Sequence, residues 1–261
     1  MLISSWNVNG LRSASISGFK RWLDEVSPDF LCLQETKMKP DMLTSTWFDG
    51  YLLEIFPARK NGYSGTGVMY RRDLKPKGIE FGIGCEEFDL EGRVVSTFFD
   101  HFEIINIYAP HSHRKLINLD KKIRFLTALM LFLKRRKAET GGKPIILAGD
   151  FNVAFEDRDL FHCASNRGNA GCHDAERTWF GELLEVGFVD ALRELTSDGG
   201  IYSWWSQLPG VKERNVGWRL DYVLVDSRLR DRIQECTYSK DALGSDHCPV
   251  SVSIDLSDYD G

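Results

Sequence analysis

The chain lacks several features that would settle its nature at a glance. No cysteine stands in a Cys-x-x-Cys pair; Cys32, Cys85, Cys163, Cys172, Cys236 and Cys248 are scattered. That spacing argues against a zinc site and points to reduced, mostly buried thiols of a cytosolic protein. No apolar run is long enough to cross a bilayer, and the longest, such as 128–133, falls far short. Met1 leads straight into a strand pattern, so we read no secretory leader and place the protein in the cytoplasm. A basic excess is missing too: the formal net charge is -5 and the pI is near 5.7. This excludes a nonspecific nucleic-acid coat, which is usually basic. It does not exclude an enzyme acting on nucleic acid, because carboxylates gathered in a metal site lower the net charge while basic groups line one face. A soluble enzyme with a small substrate fits the same pI.

Recognisable nucleotide and nucleophile motifs are absent as well. There is no phosphate-binding P-loop, no dinucleotide fingerprint and no Gly-x-Ser-x-Gly elbow. Gly62-Tyr63-Ser64-Gly65-Thr66-Gly67 has the wrong spacing for a P-loop and reads as a tight turn between strands. No repeat, low-complexity tract or Pro/Ser-rich linker breaks the chain, so residues 1–261 are expected to form a single domain. An apolar fraction of 43% supplies a full core.

What is present is strand pattern, at 2–6, 30–33, 51–56, 66–70, 94–99, 102–108, 144–148, 221–225 and 249–254. Asp100-His101 has the spacing of a two-residue hairpin turn. Apolar stripes predict helices over 18–26, over 119–136 and over 175–186, with Pro28, Gly141-Gly142 and Gly187 as their stops. The run Lys134-Arg135-Arg136-Lys137 reads as cations suited to the negative end of the second helix. Hairpins among many strands, with a few helices between, predict an α/β layered sandwich with mixed sheets.

Several of these strands meet polar groups at one end. Asp150-Phe151-Asn152 follows a buried strand and a glycine. Asp150 can take a proton from water, Asn152 can donate to a phosphate oxygen, and Phe151 points the other way; the alternative is a simple Asx turn. Glu35 suits a hard divalent cation, which prefers oxygen ligands, or else begins a helix. Asn7 offers an amide at the matching end of the first strand, or forms the turn before Gly10. Asp246-His247 supplies a carboxylate and a ring able to bind a phosphate oxygen when charged, with Asp221 able to orient that ring and hold it partly protonated; a lone core histidine is the bland alternative. Tyr108 could touch a phosphate, or merely fill the core rim. Together they describe metal-assisted hydrolysis of a phosphodiester by water.

The segments Ser5-Trp6-Asn7-Val8-Asn9-Gly10-Leu11-Arg12, Leu33-Gln34-Glu35-Thr36-Lys37, Tyr108-Ala109-Pro110, Gly149-Asp150-Phe151-Asn152, Asn215-Val216-Gly217-Trp218-Arg219-Leu220-Asp221-Tyr222 and Gly244-Ser245-Asp246-His247-Cys248-Pro249 carry a resemblance over nearly the whole chain. The sequence resembles the exonuclease III type of AP endonuclease, in the endonuclease/exonuclease/phosphatase superfamily; the 215–222 segment is the part specific to the DNA-repair branch. The resemblance implies a four-layer α/β sandwich, two mixed sheets face to face with helices outside, and dependence on Mg²⁺ or Mn²⁺. It implies cleavage of duplex DNA 5′ to abasic sites, with 3′-phosphodiesterase or 3′→5′ exonuclease activity alongside, by a monomer near the nucleoid. By position, Glu35 holds the metal with Asn7 and Asp246 close. Asp150 positions or deprotonates water; Asn152, Tyr108 and His247 stabilise the phosphate; Asp221 orients His247. Asn166 and Asn169 lie near phosphate and flipped sugar, Trp204 and Trp218 wall the sugar pocket, and Arg114 matches a position that inserts into DNA. Asn9, Arg12, Lys37, Lys212 and Arg214 are further DNA-side candidates. Three positions depart from common relatives: His111 stands for Asn, Asn9 for Asp, and Trp204 for Phe. The rival readings are a superfamily phosphodiesterase acting on RNA, lipid head groups or inositol phosphates, and a catalytically silent nucleic-acid-binding regulator.

Overall fold

Period-two burial dictates the architecture: each central strand sends one set of apolar side chains to a sheet–sheet interface and the other set to helices. The computed structural model describes residues 1–42, 48–139 and 142–256. The chain runs through β1 (Leu2–Asn7), α1 (Leu11–Ser17), α2 (Phe19–Val26), β2 (Phe30–Gln34), β3 (Tyr51–Phe56), β4 (Thr66–Arg71), β5 (Gly78–Phe81), α3 (Glu86–Asp89), β6 (Val94–Phe98) and β7 (Glu103–Tyr108). It continues with α4 (Leu119–Glu139), β8 (Ile145–Asp150), α5 (Cys163–Asn166), α6 (Asp174–Glu185), β9 (Phe188–Asp190), α7 (Ala191–Leu195), β10 (Trp204–Trp205), β11 (Gly217–Trp218), β12 (Asp221–Asp226), β13 (Ile233–Tyr238) and β14 (Val250–Ile254).

Two six-stranded sheets result, ordered β13-β14-β1-β2-β4-β3 and β5-β6-β7-β8-β12-β9. Each is mixed, because β1 pairs parallel with β2 and β7 parallel with β8 while the other pairs are antiparallel. Between the sheets lie Ile3, Phe30, Cys32 and Val68 against Val95, Ile104, Ile146 and Val223. The opposite faces are helix-covered. Trp6, Leu31 and Leu33 meet Phe19, Trp22 and Leu23 of α2. Ile105, Leu147 and Phe151 meet Phe125, Leu129 and Leu133 of α4 and Trp179, Phe180 and Leu183 of α6. The order helix, sheet, sheet, helix is the four-layer sandwich the sequence led us to expect. One polar clamp crosses the apolar middle: Asn106 donates to the carbonyls of Leu33 (2.9 Å) and Gly67 (2.8 Å) and accepts from Gln34 (2.7 Å). It fixes the register of one sheet on the other directly behind the rim where β1, β2, β7 and β8 end.

Several expectations needed correction. The helix predicted over 18–26 is preceded by a separate helix, α1, and Gly18 at φ 145° is the corner between them. The 62–67 glycines do not make a tight turn. Gly62 and Gly65 belong to the longer connection 57–65, whose Ser64 and Gly65 carbonyls accept from Lys37 N and Thr36 N and so pair with the loop after β2, and Gly67 is already in β4. The basic run of α4 does close the helix, with Arg136 and Lys137 in its last turn, but it also reaches other elements: Arg136 approaches Glu80 and Glu103, and Lys137 donates to the carbonyls of Val186 and Gly187. Gly141, one of the expected stops, lies outside the described residues. Edge strands β5, β9 and β13 were not legible: β5 and β13 are largely exposed and β9 is a buried run of only three residues, so none carries a clean alternation.

Candidate active site

Parallel pairing puts the C-terminal ends of β1 and β2 side by side, and does the same for β7 and β8; antiparallel pairing brings the starts of β12 and β14 to the same rim. Asn7, Glu35, Tyr108, Asp150, Asp221 and His247 therefore converge although up to 240 positions separate them. Asn7 is the bridge. Its Nδ2 donates to Asp150 Oδ2 (2.9 Å) and to Glu35 Oε1 (3.2 Å). The Tyr108 hydroxyl donates to the same Glu35 oxygen (2.7 Å), and Lys37 Nζ lies 2.8 Å from Oε2. Glu35 is thus well within side-chain reach of Asp150.

The two sheets supply the second half of the site. His247 Nδ1 is 2.7 Å from Asp221 Oδ2, both fully enclosed. Burial alone would lower the imidazole, but the Asp221 charge and hydrogen bond outweigh it and push His247 up to about 10. Burial and the neighbouring Asp221 charge raise Asp150 to about 7, against the opposing charge of His247. Two neighbouring groups both raised in this way, one acid made reluctant to ionise and one base made reluctant to lose its proton, are the mark of a functional site. Burial would raise Glu35 also; the Lys37 and Tyr108 hydrogen bonds and the Lys37 charge reverse this and keep it ionised.

Local backbone strain concentrates here. Asn9, Glu35, Lys37, Ser64, His113 and Asn152 are all non-glycine residues at φ between 46° and 58°, a conformation that costs on the order of 1 kcal/mol or more at each residue. The sequence left Asp150-Phe151-Asn152 open between an Asx turn and a reactive pair, and the Asx turn is present: Asn152 N–H donates to Asp150 Oδ1 (2.8 Å). Phe151 points away and packs on Phe180 and Tyr222. Both amide protons of Asn152 are turned to Ala109 O (3.0 Å) and Asp150 Oδ2 (3.2 Å), so donation to a phosphate would draw the second away from Asp150.

A pocket of about 460 Å³ opens over these groups. Trp204 and Trp218 face each other across the short β10–β11 pair and line it, and Trp204 Nε1 donates to Asp246 Oδ2 (3.0 Å). Asn9 links Asp246 Oδ1 (3.0 Å) to Lys37, whose ammonium it accepts. His111 and His113 line the mouth, with their Nδ1 atoms 3.3 Å apart. Ala170 and Gly171 also line it, but Asn166 and Asn169 do not; Asn166 donates to His162 O and Asn169 to Asn166. Arg12, Arg114 and Arg214 are exposed outside the pocket, and Lys212 lies 5.2 Å over the Trp205 ring.

The donor set suits a hard cation: carboxylates of Glu35 and Asp246 offer oxygen, the Asn7 amide orients Glu35 through its NH2 while its own Oδ1 accepts from Asn9 N (3.0 Å), and the Lys37 ammonium already sits against Glu35 where positive charge is wanted. A second grouping, Asp150, Asp221 and His247, has ligand atoms within 4.8 Å of one another. Within it Asp221 Oδ2 is already engaged with His247 Nδ1 at 2.7 Å.

Sequence reading overlooked Lys122 and Glu176, both wholly buried and 2.8 Å apart beneath this rim. A signal was there. Lys122 precedes Phe125, Leu126 and Leu129, and Glu176 precedes Trp179, Phe180 and Leu183, so each is a charge on the apolar stripe of its helix.

A two-sheet α/β sandwich with carboxylates, amides and a cationic imidazole gathered at one rim defines a class, the hydrolases that cut phosphoesters with activated water. Residues 4–247 match the Endonuclease/Exonuclease/phosphatase family. The chain is 40% identical to an exodeoxyribonuclease of Bacillus subtilis, covering 98% of this chain and 100% of that protein. It is 40% identical to a DNA-(apurinic or apyrimidinic site) endonuclease of Dictyostelium discoideum, covering 98% and 71%. Among solved structures, an AP endonuclease from Archaeoglobus fulgidus superimposes with a TM-score of 0.86 at 28% identity, covering 98% and 100%. The chain belongs to the Endonuclease/Exonuclease/phosphatase family, in its exonuclease III type of AP endonuclease.

Proposed function

We propose that this chain is a DNA-repair phosphodiesterase that hydrolyses the backbone 5′ to apurinic/apyrimidinic sites in duplex DNA. The exodeoxyribonuclease and AP endonuclease names of its relatives support this, together with 3′-phosphodiesterase or 3′→5′ exonuclease action at the same site. The observation that carries the reading is the unbroken chain of contacts Tyr108–Glu35–Asn7–Asp150 beside the Asp221–His247 pair, at the floor of a tryptophan-walled pocket.

Asp150, held reluctant to ionise, positions water and takes its proton. His247, kept cationic and aimed by Asp221, neutralises charge on a non-bridging phosphate oxygen as the pentacoordinate state forms, and Tyr108 and Asn152 add hydrogen bonds there. Glu35 would hold Mg²⁺ or Mn²⁺, with Asn7 and Asp246 close to it; such a cation supplies Lewis-acid charge to a phosphoryl oxygen. Trp204 and Trp218 enclose a deoxyribose without a base, whose extrusion costs less than that of a stacked, paired nucleotide. Asn9, Arg12, Lys37, Arg114, Lys212 and Arg214 meet flanking phosphates, which position the duplex without reading its sequence; Asn166 and Asn169 reach the substrate by movement of their loop. Every group named comes from one chain, so a monomer suffices.

The test is incision of a duplex oligonucleotide carrying a tetrahydrofuran abasic analogue. We expect a cut 5′ to the analogue with Mg²⁺ present and none with EDTA. No cut at stoichiometric enzyme would leave a silent DNA-binding regulator as the better account.

A further inference from the structure

Beneath the rim, three separate loops of the site hang on a single buried ion pair. Lys122 of α4 and Glu176 of α6 have no exposed surface. Lys122 Nζ donates to the backbone carbonyl of Asn152 (2.6 Å) and lies 2.8 Å from Glu176 Oε1. That same oxygen accepts from Ser112 Oγ (2.6 Å), between His111 and His113 at the pocket mouth. Glu176 Oε2 accepts the N–H groups of Gly171 (2.8 Å) and His173 (3.1 Å). Both carboxylate oxygens are therefore fully used: the His173 bond caps α6 itself, and the bonds to Asn152, Ser112 and Gly171 run to loops of the site.

Stability does not explain such a pair. Desolvating two charges offsets most of their attraction, and apolar side chains of similar volume often do as well or better. What apolar side chains cannot do is fix the direction of a carbonyl and three donors. Asn152 sits at φ 53°, off the ordinary backbone minima, with Lys122 gripping its carbonyl. Gly171, at φ 80°, is wedged so closely that a Cβ there would come 3.3 Å from both the Asn152 oxygen and the Trp218 ring. Moving Glu176 would therefore loosen the phosphate-binding turn, the tryptophan wall and the pocket mouth together.

We propose that Lys122 and Glu176 are positioning residues for the reaction, a strut that sets Asn152, Gly171 and Ser112 in their working geometry without touching substrate. The proposal rests on the hydrolase reading above. Its test compares the Lys122→Met/Glu176→Met double variant with native protein, on the tetrahydrofuran duplex with Mg²⁺, by single-turnover cleavage, gel-shift affinity and thermal melting. A displacement of about an ångström at a reacting group can cost on the order of 100-fold in rate, so we expect cleavage to slow roughly 10- to 100-fold. Affinity should stay within about threefold and the melt should stay cooperative, because the lost geometry is in the site and not in the core. Lys122→Arg, which keeps the charge and the donors, should recover most of the rate that Lys122→Met loses. A cooperatively folded double variant that cuts at the native rate overturns the proposal, as does a folded Lys122→Arg as slow as Lys122→Met. If the double variant does not fold, Ser112→Ala decides: slower cleavage at unchanged affinity supports the strut, and an unchanged rate overturns it. Hydrogen exchange of the 150–155 and 169–173 peptides should rise in the Lys122 variants whether or not the protein cuts DNA, so a native protein that fails to cut counts against the hydrolase reading alone.

Discussion

Strand β12 carries an aspartate at each end, and the fold treats the two in opposite ways. Asp226 is closed off. Arg228, two residues along, donates to it from the backbone (3.1 Å) and from Nε and Nη2 (2.8 and 2.9 Å), and Lys137 adds a fourth contact at 3.2 Å. Burial works against the charge, yet these partners hold Asp226 below the usual carboxylate range. The Asp221 carboxylate has one hydrogen-bonding partner among the described residues, His247, 26 positions away, and its Oδ1 is buried without one. The first end spends its electrostatics on closing a strand. The second leaves a carboxylate whose charge keeps His247 cationic and adds to burial in making Asp150 reluctant to ionise.

If the contrast is catalytic, breaking the open end should cost far more than breaking the closed one. Asp150→Asn and His247→Asn should each slow incision by about 100-fold or more, the usual loss when one transition-state group goes. Gel-shift affinity for the abasic duplex should be nearly unchanged, and an equal fall in binding and rate would count against both roles. Asp226→Asn should leave the rate alone and read out only in the melting temperature.

Asp221→Asn comes next, and its signature is a shift in pH rather than a uniform loss. With Asp221 present, His247 is raised to about 10, so the imidazolium persists until pH climbs through about 10, while its contribution to stability is full below about 6.5 and is lost progressively between 6.5 and 10. Removing Asp221 leaves burial as the dominant influence, and burial lowers an imidazole. The alkaline limb of the single-turnover rate should move down past neutrality, with about a 10-fold loss at pH 8 from the neutral fraction alone. An unmoved alkaline limb would detach His247 from that limb.

The two ends of β12 also differ in how far they could be read from the sequence. Asp226 and Arg228 are neighbours, and any turn rule connects them. Asp221 and His247 meet only because β12 and β14 both start at the rim, a fact of sheet order that no local pattern holds. The sequence still exposed the polar residues at strand ends, since buried alternation stops abruptly at Asn7, Gln34 and Asp150. The four layers followed from the same alternation. Short edge strands such as β9 escaped because partners outside the segment decide them. Lys122 and Glu176 were visible as charges on apolar stripes, but their purpose depends on the Asn152 carbonyl and the Ser112 hydroxyl, 30 and 64 positions away, which only the fold brings to them. Asn106 escaped for a related reason: an amide inside Ile104-Ile105-Asn106-Ile107 reads as a strand residue until a second sheet brings the Leu33 and Gly67 carbonyls to it.

Strand β7 repeats the comparison on a smaller scale and yields the smallest effect. Tyr108 at one end serves the pocket; Glu103 at the other is buried, with neither carboxylate oxygen hydrogen-bonded among the described residues and Arg136 Nε at 3.4 Å. Burial pushes Glu103 up to about 7, with Arg136 only partly opposing. A carboxyl raised in the fold binds a proton there that the unfolded chain has already released, so its ionisation weakens the fold progressively as pH rises from its unfolded value, about 4.3, through 7. Glu103→Gln removes that cost. At pH 8 it should gain about 1 kcal/mol, or roughly 2–4 °C in melting temperature, with the gain vanishing near pH 4 and the incision rate unchanged throughout. A variant less stable at pH 8 would mean that the Arg136 contact outweighs the burial of the charge, and this end of the sheet would then be closed in the same way as Asp226.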